Sequence, residues 1–334
     1  MKFGSVPVSE AGGAILAHSL QGATRRLRKG LFLDADDLKE LSLAGHDTVV
    51  VAQPEDGDLH EDDAAAIFAA SLVPNPDAVN LQVANPFTGR VNIYANCNGI
   101  AEIDEVAIAK ANAIDPMITV ATVAPFARMR DRGMVATIKI ISYAVASRDM
   151  DQVIVCAQDA IRLKVATYRT VSLILTETEA DTALQDEKGI KAIKNRLAAL
   201  DVTLCEVLVC RHEIKDLSQA LLGAKGAAVM ILTASATSDP LDVGPQSLRE
   251  AGGSVTRFGM PVDPGNLLFY GVLGDGPVIG LPGCVRSPVM NGADWVMERL
   301  LCGVEIEGAD IAAMGVGGLL KEIPSRPQPR DRKR

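Results

Sequence analysis

From Val165 onward, short unbroken apolar runs alternate with amphipathic stretches, and this alternation restricts the fold more than any other feature of the chain. The apolar runs are TVSLILTET (170–178), LCEVLVC (204–210), AAVMILTASAT (227–237), LLFYGVL (267–273) and PVIGL (277–281). Between them, Lys188 to Leu200, Ile214 to Gly223 and PQSLREAGG (245–253) carry apolar residues at helical spacing. A strand that is apolar on both faces must be covered on both faces. The pattern therefore predicts an α/β fold: a doubly wound, mostly parallel sheet in a three-layer sandwich. Ligands of such sheets bind outside the carboxyl ends of the strands. Three strand ends point there: Thr176-Glu177-Thr178, Thr233 to Thr237, and Leu281-Pro282-Gly283-Cys284.

The last of these ends admits two readings. Pro282, Gly283 and Cys284 form a turn, after which Arg286, Ser287 and Asn291 are expected to open a helix containing the single Trp, Trp295. A helix start has unpartnered N–H groups and the positive end of the dipole, so strand, turn and helix together suit an anion. The same turn also serves as an ordinary βα connection in any α/β domain. Cys284 lies where a thiol pKa tends to fall. Asp242 precedes VGPQSLREAG and is equally an N-cap and a carboxylate for a metal.

The N-terminal half reads differently. Val6 to Leu20 looks strand-like, Asp34 or Asp36 can cap a short helix that ends at Gly45, and Thr48 to Val51 is a β-branched run. From 85 to 146 strands and short helices alternate in a pattern that predicts a separate α+β region. Arg25, Arg26, Arg28 and Lys29 fit a solvated hairpin face. The expected division is 1–164 for this region, 165–303 for the α/β domain, and 304–334 for a C-terminal segment with a basic, Pro-rich tail.

Charge and cysteine usage exclude several classes. A net charge of −9 argues against a general nucleic-acid binder, yet leaves room for a small anion held by a few placed donors. The six cysteines are scattered without C-x-x-C pairing and only four histidines are present, so a structural zinc site is not expected. No basic-then-apolar leader and no membrane-length apolar run occurs in the sequence, which reads as that of a cytoplasmic protein.

In order, TASATSDPLD, GMPVDPGN and LPGCVRSP resemble the molybdopterin-binding domain shared by MoeA, gephyrin, Mog and MoaB. That family carries T-G-G-x-S-x-G-x-x-D, K-P-G-K-P and L-P-G-N-P runs. They fall here on Thr233 to Asp242, on Asp263-Pro264-Gly265-Asn266, and on Leu281 to Val285. GMPVDPGNLL, GLPGCVRSP, NGADWVMERLL, MGVGGLL and the earlier GAILAHSL and VATIKIISYAV further resemble a MoeA-like module found fused to molybdenum cofactor nucleotidyltransferases. The chain departs from the pattern at Ala234 and Ser235, where the family has paired glycines, and at Asn266, where it has lysine.

The resemblance implies a molybdenum cofactor biosynthesis protein that binds molybdopterin or its adenylated form, either for molybdate insertion or for delivery to a separate nucleotidyltransferase. The other class of reading is a non-catalytic module binding a nucleotide or cofactor. Implied contacts are Thr176, Glu177, Thr233, Ser235, Thr237, Pro264, Gly265, Asn266, Pro282, Gly283, Cys284, Arg286 and Ser287. Asp242 and Asp239 take the catalytic positions, and Asp242 with Glu177 would hold Mg²⁺ between phosphate oxygens. Self-association into a homo-oligomer is also implied.

Overall fold

A computed structural model describes residues 1–179 and 187–320. The Pro-rich basic tail lies outside the described residues. The chain divides into two compact units, one of residues 1–97 and 101–163, the other of 98–100 and 164–334.

The first unit is built on antiparallel pairing. Strands Lys2–Pro7 and Ile15–Leu16 flank Thr48–Gln53. The expected single strand over Val6 to Leu20 is instead broken by a 3-10 turn at Val8–Glu10. Asp34 caps helix Ala35–Leu43, accepting from the amides of Asp36 and Asp37 in a capping box. Arg25 pairs with the buried Asp37 at 2.6 Å, so the arginine cluster is anchored at one end. A second sheet orders Ile118–Thr122, Met134–Ile140, Arg90–Ala95 and Leu81–Val83. Helices Glu61–Leu72 and Ser147–Ala157 contribute Phe68, Leu72, Met150 and Val153 to its core.

The second unit holds a six-stranded sheet. Its elements are β1 (Thr170–Glu177), α1 (Glu187–Ala198), β2 (Thr203–Arg211), α2 (Ile214–Gly223), β3 (Ala228–Leu232) and α3 (Val243–Glu250). Then come β4 (Ser254–Phe258), β5 (Phe269–Leu273), β6 (Gly276–Leu281) and α4 (Gly292–Leu301). Strand order is β2-β1-β3-β6-β5-β4. The pairs β2·β1, β1·β3 and β3·β6 are parallel; β6·β5 and β5·β4 are antiparallel. The alternation therefore predicted the parallel half, while the hairpin ending the sheet and the strand SVTRF in it were not expected.

Burial follows position in the sheet. All of β3, and β1 from Val171 to Thr176, are buried, as both-face coverage requires. The edge strand β2 alternates between exposed and half-buried residues. Ile174, Val229, Ile231 and Val278 form one face and pack with Leu217 and Leu221 of α2 and Leu248 of α3. Their neighbours Leu173, Met230 and Ile279 point to the other face, where α1 touches β2 and α4 touches β6. Where β5 pairs with β6 the Phe269 ring fills the space over Gly280, and a Cβ built on Gly280 would lie 1.9 Å from it. Among the described residues of the chain, no helix is long and apolar enough to cross a membrane.

Candidate functional site

Because β2, β1, β3 and β6 run parallel, their carboxyl ends share one edge of the sheet. Thr176 is the next-to-last residue of β1, and its side chain is buried. Its Oγ1 accepts the Ala234 N–H at 2.9 Å, just past the end of β3. The carbonyl of the same peptide, that of Thr233, accepts from Arg286 Nη2 at 3.3 Å. One peptide unit thus joins the three strand ends that the sequence brought forward.

A fourth strand end is joined to them by a residue that sequence reasoning missed. His212 follows β2, its Nδ1 lies 2.9 Å from Thr176 Oγ1, and its N–H donates to the Glu177 carbonyl at 2.8 Å. The signal was there to be read, because His212 stands two residues past an apolar run ending at an edge already marked as a site. Opposite Thr176 in the pairing lies Cys210. Burial first, then the carboxylates of Asp216 and Glu177, push its thiol up to about 11, so it stays protonated.

The turn after β6 differs from the expected helix start. Gly283–Arg286 is a single 3-10 turn, the chain then bends through 287–289, and α4 begins only at Gly292. Asn291 caps α4 through the Ala293 amide, and Asp294 closes the capping box by accepting from the Asn291 N–H at 2.8 Å. Arg286 and Ser287 consequently belong to a loop rather than to a helix N-terminus.

Arg196, on the inner side of α1, shapes this loop and was also missed. It is buried, and it donates to the carbonyls of Val285 (3.0 Å), Ser287 (2.8 Å) and Val289 (3.1 Å). It also pairs with Asp294 Oδ1 at 2.7 Å, both side chains being buried. An arginine among Ala192, Ile193 and Leu197 on the apolar stripe of a helix is the clue the sequence offered.

The remaining candidates divide by exposure. Ser235, Gly283, Ser287 and Asn266 are exposed and Cys284 is half-buried, whereas Thr233, Thr237, Pro282, Pro264 and Gly265 are buried. Pro264 and Gly265 sit against the start of α4: the Pro264 carbonyl accepts from Gly292 N at 2.8 Å. Gly265 has φ +141, and a Cβ there would lie 2.8 Å from Gly292 N, so glycine is required by both backbone and contact.

Asp242 and Asp239, proposed for the catalytic positions, each hold their own loop. Asp242 is the N-cap of α3: Oδ1 accepts from Val243 N at 2.7 Å and Oδ2 from Ser238 N at 3.0 Å. Asp239 Oδ1 accepts from Leu241 N at 2.7 Å. Both oxygens of Asp242 thus serve the cap and the loop around it. Among the described residues no group of three His, Cys, Asp or Glu is placed to hold a metal ion.

A family model described as a domain of unknown function (DUF8806) matches residues 5–53, in the first unit. No curated protein matches the chain. Among solved structures, the chain is similar to the molybdopterin biosynthesis MoeA protein from Pyrococcus horikosii. That match has 14% identity and a TM-score of 0.32, over 90% of this chain and 75% of that one. It is similar also to a molybdenum cofactor biosynthesis protein from Pyrococcus furiosus, at 12% identity and TM-score 0.23, over 91% and 66% of the two chains. These similarities are distant, and the functional reading rests on the residues at the sheet edge.

Proposed function

We propose that the carboxyl edge of the six-stranded sheet binds a phosphorylated pterin, molybdopterin or its adenylated form, and that the chain serves molybdenum cofactor biosynthesis as a binding module. One observation carries the reading. The Thr233–Ala234 peptide is held by Thr176 on one side and Arg286 on the other, so two stretches resembling the molybdopterin-binding pattern, TASATSDPLD and LPGCVRSP, meet the end of β1 at one edge. Arg286 brings a planar, permanently charged guanidinium suited to phosphate. The exposed hydroxyls of Ser235 and Ser287 are donors on the adjoining loops. Arg196 holds the loop bearing Arg286 and Ser287 in shape from below.

Binding, as opposed to metal-assisted group transfer, is favoured by Asp242, whose two oxygens close its own loop. Delivery of the bound cofactor to a separate nucleotidyltransferase belongs to the same proposal. Calorimetric titration of the full chain with molybdopterin, adenylated molybdopterin and finished cofactor, each with and without Mg²⁺, tests it. The expected result is binding of at least one pterin form that is insensitive to Mg²⁺ and weakened in Arg286→Ala. Absence of binding for all three forms overturns the reading; strengthening by Mg²⁺ overturns the preference for a binding module.

A further inference from the structure

The hydrogen bonds at the sheet edge fix the chemistry of His212. The Thr176 hydroxyl is buried, and its oxygen already accepts the Ala234 N–H. Its single proton still needs an acceptor, because a buried hydroxyl proton is rarely left unpaired. Among the described residues the partner in reach is His212 Nδ1, at 2.9 Å. Nδ1 of the neutral ring is then the acceptor, which places the ring proton on Nε2. In the imidazolium form Nε2 also carries a proton. His212 therefore offers an N–H donor from Nε2 in either charge state, on a half-buried ring at the end of β2.

The same bonds limit how far this donor stands from the cation of the site. His212 Nδ1, Thr176 Oγ1, the Thr233–Ala234 peptide and Arg286 Nη2 form one connected path with steps of 2.9, 2.9 and 3.3 Å on either side of the peptide. Adding the O-to-N width of a peptide and the breadth of the imidazole ring, His212 Nε2 and Arg286 Nη2 are no more than roughly 14 Å apart. A ceiling of that size leaves room between them for a ligand longer than a bare phosphate. A phosphate joined to a flat heterocycle with a ring nitrogen or carbonyl acceptor reaches it.

We infer that His212 is a specificity-determining residue: it reads an acceptor on the heterocycle of a ligand whose phosphate lies at Arg286. This rests on the proposed use of the edge for a phosphorylated ligand and narrows its class to phosphate-bearing heterocycles of pterin or nucleotide type.

Calorimetry on the full chain with a short probe, pyrophosphate, and two long probes, ADP and molybdopterin, tests it. His212→Ala is expected to weaken the long probe that binds by about tenfold, the loss of one hydrogen bond, and pyrophosphate by less than about twofold. His212→Gln, whose amide both accepts and donates, is expected to restore most of the loss. Arg286→Ala should weaken short and long probes alike. Equal weakening of both probe classes by His212→Ala, or of neither, overturns the inference, as does failure of both long probes to bind. Binding of ADP with this dependence, but not of molybdopterin, leaves the inference standing and removes the pterin reading alone.

Discussion

Thr176 and Arg286 hold opposite ends of a single peptide unit, Thr233–Ala234, the first through its N–H and the second through its C=O. In the molybdopterin-binding pattern that this stretch resembles, the position begins a pair of glycines. Here the Ala234 amide is used inside the protein, so its N–H is not a donor for ligand. Thr176→Val removes the acceptor at equal size and leaves that amide, and His212 Nδ1, without their partner. The expected cost is about 1–3 kcal/mol, seen as a lower urea midpoint, while Thr176→Ser stays close to the wild type.

The buried pair of Arg196 and Asp294 gives a larger effect. Arg196→Met strands a buried carboxylate and three carbonyl oxygens, and should cost about 3–5 kcal/mol. Asp294→Asn keeps an acceptor for the Asn291 N–H while removing the charge. The double variant is expected to be less destabilised than the sum of the two, and equilibrium unfolding of all four chains measures the difference.

Asp242→Ala removes an N-cap and should lower stability by about 1 kcal/mol. Thermal melting with and without millimolar Mg²⁺ should shift equally little in the wild type and the variant. A Mg²⁺-dependent rise in Tm that is present in the wild type and absent in Asp242→Ala would contradict the capping role assigned here.

Gly280→Ala forces a methyl group against the Phe269 ring, with no room for it where β5 pairs with β6. The expected loss is about 1–3 kcal/mol from overpacking. Phe269→Leu in the same chain should return part of that loss, and chemical denaturation of the single and double variants checks it.

Alkaline pH should weaken the fold through buried thiols. Burial pushes Cys210 up to about 11 and Cys302 up to about 12, against 9.0 for an ordinary thiol. Each group's folded value is raised, so its stabilising contribution is complete below pH 9.0 and is lost as pH climbs towards the folded value. Tyr270, raised chiefly by burial, acts in the same direction. Urea midpoints measured from pH 8 upward should therefore fall beyond about pH 9. Thiol reagents at pH 8 should label the exposed Cys205 ahead of the buried Cys302.

Much of the second unit was legible because its information is local. An unbroken run such as Val229-Met230-Ile231-Leu232 needs cover on both faces, and the spacing of Ala192, Ile193 and Leu197 declares the inner face of α1. The turn at 283–286 was misread because helix onset depends on the cap, and Asn291 with Asp294 caps better than any residue before Pro288. Arg196 and His212 were passed over for a different reason. Their partners lie 98 and 36 residues away, at Asp294 and Thr176, and no local pattern records such a pairing. Asp242 was read as both cap and metal carboxylate because the sequence fixes its position at the helix start but not the use of its second oxygen.

The separation of Arg196 from Asp294 also sets an order of events during synthesis. A growing chain presents Arg196 well before its counter-charge, which is made 98 residues later. Until then the guanidinium must remain in water, since burial without a partner costs several kcal/mol. The inner face of α1 thus stays hydrated at that point while β2, β3 and β6 are made. When Asp294 emerges on α4, the cation is neutralised, the carbonyls of 285, 287 and 289 are gathered in, and the loop bearing Arg286 takes its shape last. The carboxyl edge would be assembled by the same event that seals the sheet beneath it.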